Sequence, residues 1–195
     1  MMRLELSFDE LGQIALSMVV VALAFSVRYL FISKEQFIFY FPVALMAVGS
    51  GFVFHELAHK FMAMRYGAYA RFRVWESGLA FALIVSLITR GAFVFAAPGA
   101  VYIYSQSLTR KQNGIISIAG PLTNLAIGMI ALLVTMLSPG GYIGLLAAST
   151  ASINFFLGFF NMLPVPPLDG SKVLSWNLFA WLALTIVLAI PTFIL

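Results

Sequence analysis

Both histidines of this chain lie in one pentapeptide, His55-Glu56-Leu57-Ala58-His59. On a helix, residues four apart share a face, with about 5–6 Å between their Cβ atoms. Two imidazoles at that spacing can bind one Zn²⁺ ion, and Glu56 lies where its carboxylate can take a proton from a metal-bound water. The spacing therefore predicts a hydrolytic zinc site with His55 and His59 as ligands and Glu56 as the general base.

A non-catalytic interpretation of the pentapeptide stays open at this point. The two histidines could be satisfied by hydrogen bonds inside a helix bundle, with Glu56 as their ion-pair partner. That interpretation clusters three ionisable groups in an apolar run of residues 42–64. Such groups are costly to insert into a membrane and usually mark a functional site, so the pattern favours the metal site.

Composition indicates an integral membrane protein. The chain has 195 residues, of which 62% are hydrophobic and 9% charged, and its mean hydropathy is +1.01; apolar runs of this kind are typical of membrane spans. The net charge of +4 comes from scattered basic residues, which argues against a nucleic-acid partner and fits cytoplasmic Lys and Arg. There is no cysteine, so the metal ligands must be His, Asp or Glu.

The apolar runs predict an all-α polytopic membrane protein in the lipid bilayer, with about five transmembrane helices. We expect one integral membrane domain over 1–195, with a catalytic core at about 42–190 and an additional N-terminal helix and loop in 1–41. An acidic start, without the basic region of a cleaved signal peptide, favours a retained first span. The predicted spans are 11–32, 42–65, 121–137, 142–160 and 173–190.

The segment 77–108 is apolar between two basic flanks, so the number of its membrane crossings stays open. Basic flanks on the same side require an even number of crossings or a re-entrant element. We expect a short helix over 79–88, then a β-hairpin of strands 92–96 and 100–104 that turns at Pro98-Gly99. Irregular backbone at membrane depth must be buried or line a wet cavity, so this re-entrant β element implies a cavity beside the active site.

The third metal ligand follows by elimination. A catalytic zinc usually has three protein ligands and one open position. Of the seven acidic residues, Asp169 abuts a long apolar span, and its one competitor, Glu76, lies in the basic loop. Asp169 is therefore the predicted third ligand, although its position before a helix also suits an N-cap.

Three motifs in order resemble the site-2 protease family of intramembrane zinc metalloproteases. They are the pentapeptide at 55–59, the Gly120-Pro121-Leu122-Thr123-Asn124 segment, and the block of Asn161, Pro164 and Leu168-Asp169-Gly170. The resemblance implies a three-helix core around one Zn²⁺, and hydrolysis of a peptide bond in or near the membrane segment of membrane-anchored protein substrates. The chain departs from several relatives in one respect, because we expect a minimal form without a PDZ domain, and this leaves substrate selection and regulation open.

The resemblance places Asn161 and Asn124 beside the active site. Either side-chain amide could stabilise the transition state, although Asn161 also suits a helix C-cap and Asn124 a first-turn hydrogen bond. A helical substrate must unwind before cleavage, and the edge of the hairpin within 91–104 could hold it by strand addition. Basic flanks predict a multi-pass cell-membrane protein whose active site lies within the bilayer, nearer the cytoplasmic side.

Two other functions remain open from the sequence. One is a different membrane protease with the same pentapeptide and a Glu as third ligand, but no Glu follows Glu76. The other is a non-hydrolytic membrane metal-binding protein or metal transporter. A transporter would spread polar groups along a path through the bilayer, whereas here they gather at one depth.

Overall fold

The computed structural model describes residues 6–104 and 108–195. Parts of the predicted segments 1–41 and 77–108, namely 1–5 and 105–107, lie outside the described residues. In chain order the elements are α1 Phe8–Leu30, α2 Lys34–Val48, a π-helical turn Gly49–Val53, α3 Phe54–Arg65, β1 Tyr69–Val74, α4 Glu76–Ile88, β2 Gly99–Tyr104, α5 Arg110–Leu137, α6 Gly141–Asn161, α7 Asp169–Trp176 and α8 Leu178–Ile194.

Four helical stretches among the described residues are long and apolar enough to cross a membrane. They are α1, the continuous rod from α2 through the π-turn to α3, α5 and α6. Helices α4 and α8 are apolar but shorter. The chain is thus mostly helical and has the character of a membrane protein, with a small two-stranded sheet beside the helices.

Both helix starts predicted at prolines are wrong. Pro42 lies inside α2, which begins at Lys34, and Pro121 lies inside α5, which begins at Arg110. The true start of α5 is a capping box in which Thr109 and Gln112 satisfy each other's backbone N–H groups. Proline is tolerated inside membrane helices because neighbouring groups satisfy the freed carbonyl, so it does not end a helix here.

The predicted last span over 173–190 is not one helix. The chain forms α7 and α8, which meet at Asn177 in extended conformation. The Asn177 side chain accepts a hydrogen bond from the Ala180 N–H at 3.0 Å and so caps α8. The break lets α7 carry Asp169 in a direction independent of the apolar α8.

The predicted hairpin is also wrong, although its second strand exists. Strand β2 pairs antiparallel with β1, from Tyr69 opposite Tyr104 to Val74 opposite Gly99, and not with 92–96. Strand β1 has its own alternation, because Ala70 and Phe72 are buried at 1% exposure while Arg73 is exposed. Its arginines resemble a basic flank in sequence, and α4 separates it from β2, so the pairing is non-local.

One end of the bundle, here called the sheet end, gathers the sheet with the start of α1 and the end of α3. An ion pair joins Asp9 to Arg71 there. Helix α4 starts at this end, where the Trp75 N–H donates to the Pro98 carbonyl at 2.9 Å. Past its far end Gly91 packs closely on Arg28 of α1, and the chain then returns to β2.

The apolar core holds these elements in place. One cluster packs α1, α2 and α6 together through residues such as Val21, Val48 and Phe160. A second packs α5 and α6 against α7 and α8 through Phe155, Val173 and others. Helix α5 thereby lies beside both α3 and α7, which carry the predicted metal ligands.

Candidate metal centre

The three predicted ligand residues meet at the sheet end. His55 and His59 lie one turn apart on α3, and their Nε2 atoms are 3.0 Å apart. The Oδ2 atom of Asp169, at the start of α7, lies 3.3 Å from His55 Nε2 and 3.0 Å from His59 Nε2. All three residues are buried, so these three atoms form a group that could hold one metal ion.

Hydrogen bonds fix the orientation of both imidazoles. The Nδ1 atom of His59 lies 2.8 Å from the carbonyl oxygen of Ile116, which can only accept, so Nδ1 carries the proton. The Nδ1 atom of His55 lies 2.6 Å from Asn124 Oδ1. Outer partners of this kind set the tautomer of metal-binding histidines, and both Nε2 lone pairs therefore face Asp169.

Asn124 is itself held by a buried network. Its Nδ2 atom donates to the Gly51 carbonyl and to Asn154 Oδ1, each at 3.1 Å, so its Oδ1 is the atom that faces His55. Asn154 in turn donates to the Thr150 carbonyl at 2.9 Å. Asn124 lies in the middle of α5 rather than in a first turn. Asn154 was not predicted as a site residue, although an Asn inside an apolar span usually hydrogen-bonds another helix.

The donor set fits a zinc ion. Both Nε2 atoms and Asp169 Oδ2 offer lone pairs, and with both Nδ1 protons committed elsewhere no proton remains between these three atoms. Three acceptors at 3.0–3.3 Å need a cation among them. In a tetrahedral site with Zn–N distances of about 2.0–2.1 Å, ligand atoms lie about 3.3 Å apart, close to the spacing here.

Two glycines allow close packing of the backbone at and near the centre. A Cβ atom at Gly120 would lie 2.5 Å from His59 Nε2 and 2.6 Å from His55 Nε2, so any larger residue would overlap both imidazoles. A Cβ atom at Gly170 would overlap the Met162 carbonyl oxygen. Gly120 is therefore required by the space beside the metal centre, and Gly170 by the close packing of α7 on the end of α6.

The position of Asp169 decides between its two predicted roles. It lies at the start of α7 with its Oδ2 atom directed at both imidazoles. Its side chain makes no capping bond to α7, whose N-cap is Leu168. The N-cap alternative for Asp169 is thus unsupported, and its competitor Glu76 is exposed at the start of α4.

A cavity of about 600 Å³ opens beside the three ligands and is also lined by Glu56 and Asn161. Glu56 is 7% exposed, and its Oε2 atom has no hydrogen-bond partner within residues 6–104 and 108–195. Asn161, at the end of α6, donates from Nδ2 to the Leu157 carbonyl at 3.0 Å. Asn124 does not line this cavity, because its amide is engaged with His55, Gly51 and Asn154.

The sheet presents one backbone edge to the same cavity. The Phe72 and Val74 N–H groups point away from β2, since they donate to α1 side chains. In an antiparallel pair, both residues of a non-hydrogen-bonded pair direct their backbone groups outward. The partners of Phe72 and Ala70, which are Val101 and Ile103, therefore point to the edge of β2 that no other strand covers, here called the free edge, which lines the cavity. At this edge the Val101 N–H donates to the Glu56 carboxylate.

Comparison with known proteins gives the family. The sequence profile of peptidase family M50 matches residues 43–148 and 141–187. MJ0611 of Methanocaldococcus jannaschii, which is named as a zinc metalloprotease, is 44% identical over 175 residues, covering 89% of this chain and 88% of MJ0611. YwhC of Bacillus subtilis, named likewise, is 28% identical over 158 residues, covering 70% of this chain and 71% of YwhC.

Rip2 of Mycobacterium tuberculosis, also named as a zinc metalloprotease, is 31% identical over 138 residues, covering 64% of this chain and 52% of Rip2. No solved structure gives a significant match. A family of peptidases leaves the transporter alternative without support and confirms the predicted family. The profile spans most of the chain and reaches across the metal centre, and so the chain belongs to peptidase family M50, the site-2 protease family, and is a zinc metalloprotease.

Proposed function

We propose that the protein is an intramembrane endopeptidase that cleaves membrane-anchored proteins in or next to their transmembrane segments, as in regulated intramembrane proteolysis. His55, His59 and Asp169 would hold one zinc ion. The observation that carries the proposal is their convergence beside Glu56 and a cavity within a bundle of apolar helices. We take 1–195 as one membrane domain with its catalytic core at about 42–190.

The chemistry divides between the ion and the chain. Zinc, when bound, polarises the substrate carbonyl and lowers the pKa of water toward neutrality. Glu56 accepts the proton of the attacking water and later delivers it to the leaving amine. Its buried Oε2 atom, without a hydrogen-bond partner among the described residues, is free to bind that water. The apolar surroundings strengthen each of these electrostatic interactions.

The two asparagines take different roles in this proposal. Asn161 lines the cavity and commits one of its two amide hydrogens to Leu157, so the other can donate to the oxygen that gains charge in the transition state. Asn124 is a positioning residue for His55, because its Oδ1 atom accepts the Nδ1 proton. We therefore assign transition-state stabilisation to Asn161 and not to Asn124.

The free edge of β2 is proposed to hold the substrate. A helical segment hides its carbonyls in its own hydrogen bonds, so it must become extended to be cleaved. The Val101 N–H already donates to the Glu56 carboxylate. The Val101 carbonyl and the outward backbone groups of Ile103 can pair with an extended segment by strand addition. The predicted clamp is therefore kept, but the strand that pairs with β2 is β1 rather than 92–96.

Charge distribution supports an active site nearer the cytoplasmic side of the cell membrane. Among the described residues, basic side chains are more numerous at the sheet end than at the other end of the bundle, where Arg28, Lys34 and Arg90 lie. Cytoplasmic loops carry the excess of Lys and Arg. Those near the sheet and the metal centre are Arg65, Arg71, Arg73, Arg110, Lys111 and Lys172.

The decisive experiment replaces Glu56 by Gln. We expect zinc content to be unchanged and cleavage of labelled single-span peptides in liposomes to fall at least about a hundredfold, because a general base contributes that much or more. The exposed Glu35→Gln variant is the matched control and should cleave normally. Cleavage by the Glu56→Gln variant at the wild-type rate would exclude Glu56 as the base.

A second experiment tests the clamp with Ile103→Pro. The Ile103 N–H faces the cavity edge of β2, so proline removes no bond to β1, and edge positions tolerate proline. We expect KM for a single-span peptide to rise about three- to tenfold, the equivalent of one backbone hydrogen bond, with zinc content unchanged. Ile103→Ala controls for side-chain loss, and equal KM values for both variants would argue against strand addition.

A further inference from the structure

The two edges of the sheet are treated differently by the fold. The outer edge of β1 is covered by α1, whose Glu10 Oε1 accepts the Phe72 N–H and whose Gln13 Oε1 accepts the Val74 N–H, each at 3.0 Å. An uncovered edge would be a second template for pairing with another strand. Helix α1 thus closes one edge and leaves the cavity-facing edge of β2 for a ligand.

Glu10 also joins the sheet to the helix that carries the metal ligands. Lys60, the residue after His59, donates from Nζ to Glu10 Oε1 at 2.8 Å and to Oε2 at 2.7 Å. Glu10 is 2% exposed and Lys60 4%. One buried carboxylate therefore connects α1, α3 and β1, and the proposed mechanism uses neither Glu10 nor Lys60.

The buried pair of Glu10 and Lys60 costs desolvation free energy, so its presence needs an explanation. Burying an ion pair brings a desolvation penalty that often cancels its attraction, so such a pair is poor evidence of stability. Its best-attested use is to fix one arrangement among several. Charge-assisted hydrogen bonds from Lys60 and from the Phe72 N–H hold the Glu10 carboxylate in one geometry. That geometry fixes the position of β1 relative to α3.

We propose that Glu10 is a positioning residue for the substrate-binding edge. Its acceptance of the Phe72 N–H sets the position of β1 relative to α3, and pairing with β1 sets the position of β2 relative to Glu56. The inference rests on the proposed strand addition, because the position of the β2 edge matters only if substrate pairs with it.

Paired substitutions separate the carboxylate's two contacts. Glu10→Met with Lys60→Met, the double-methionine variant, removes both charges together and leaves the Phe72 N–H without its acceptor. Glu10→Gln with Lys60→Met, the amide variant, also removes both charges but retains an oxygen for Phe72. Ser26→Ala is the control, because Ser26 is buried on α1 and its hydroxyl donates to the Ala22 carbonyl of the same helix.

Kinetics give the first measurement, with labelled single-span peptides in liposomes. For the double-methionine variant we expect about a tenfold rise in KM, with kcat and zinc content unchanged. The amide variant should return KM to within about twofold of wild type, because its side-chain oxygen restores the acceptor. If Glu10 and Lys60 only stabilised the fold, both variants would contain a smaller fraction of active enzyme, and the apparent kcat would fall equally in both.

A distance measurement gives the second readout and needs no activity. The chain has no cysteine, so Tyr102→Cys on β2 and Met136→Cys on α5 accept one spin label each; both positions are exposed. We expect a narrow distance distribution in wild type, Ser26→Ala and the amide variant, and a broadened or displaced one in the double-methionine variant.

The two readouts separate this inference from the proposed function. A distribution that stays narrow in the double-methionine variant overturns the inference, whatever the cleavage assay shows. A broadened distribution with unchanged KM overturns it as well. If wild type shows no Glu56-dependent cleavage, the proposed function fails, while the distance measurement still decides whether Glu10 positions the sheet.

Discussion

Two buried polar clusters lie at the sheet end, and they differ in the balance of donors and acceptors. In the first, the Glu10 carboxylate accepts from Lys60 and from the Phe72 N–H. In the second, His55, His59 and Asp169 turn three acceptor atoms toward one another. The first cluster is complete without any ion, whereas the second requires a cation, which separates a structural connection from a metal centre.

The largest effect should come from removing an acceptor of the second cluster. Asp169→Asn exchanges a charged ligand for a neutral one, and we expect zinc content to fall below about a tenth of an equivalent, with loss of cleavage. Elemental analysis of the purified protein measures this. Asp9→Asn, at an exposed acidic position at the same end, should retain full zinc, and a full complement in Asp169→Asn would show that Asp169 is not a ligand.

A smaller effect should follow from removing a partner of a ligand. Asn124→Ala deletes the acceptor of the His55 Nδ1 proton, and outer partners are worth about 10- to 100-fold in metal affinity or activity. Competition with a fluorescent zinc chelator measures the affinity. Asn154→Ala, one step further from the ion, should have a smaller effect, and equal zinc affinities for Asn124→Ala and wild type would contradict the positioning role.

The smallest effect concerns stability. Zinc that binds only the folded protein adds about 2.7 kcal/mol at a hundred times its Kd, or roughly 5–10 °C in the thermal midpoint for a chain of this size. We expect zinc to raise the midpoint of the chelator-treated wild type in detergent and not that of His59→Ala. An equal rise in both would mean that zinc stabilises the protein elsewhere.

Local chemistry was predictable from the sequence where a few residues carry it. The pentapeptide at 55–59 and the elimination that led to Asp169 identified the three residues that the fold brings together. Their spacing on one helix is a local property, and few other acidic residues compete with Asp169. Lys60 offered a further signal that was overlooked, since a charged residue inside an apolar span usually has a buried partner.

Element boundaries and the sheet were not predictable in the same way. Pro42 and Pro121 lie inside helices because the membrane fold tolerates them, so rules drawn from water-exposed helices misplace both starts. The strand that pairs with β2 is β1, which α4 separates from it in the sequence. No residue pattern near β2 indicates this non-local pairing. Asn124 was placed beside the active site by resemblance, but its hydrogen bond to His55 depends on how α5 packs against α3.

The π-helical turn at Gly49–Val53 has a consequence for the lipid-spanning rod that contains it. A single wide turn absorbs one residue beyond the α-helical count, and each residue of an α-helix turns the chain by about 100°. The side chains of α3 are thus rotated about the rod axis relative to those of α2. The face of α3 that carries the metal ligands therefore need not continue the face that α2 turns to the bundle. Deleting one residue there would convert the π-turn into a regular α-helical turn and rotate His55 away from α7.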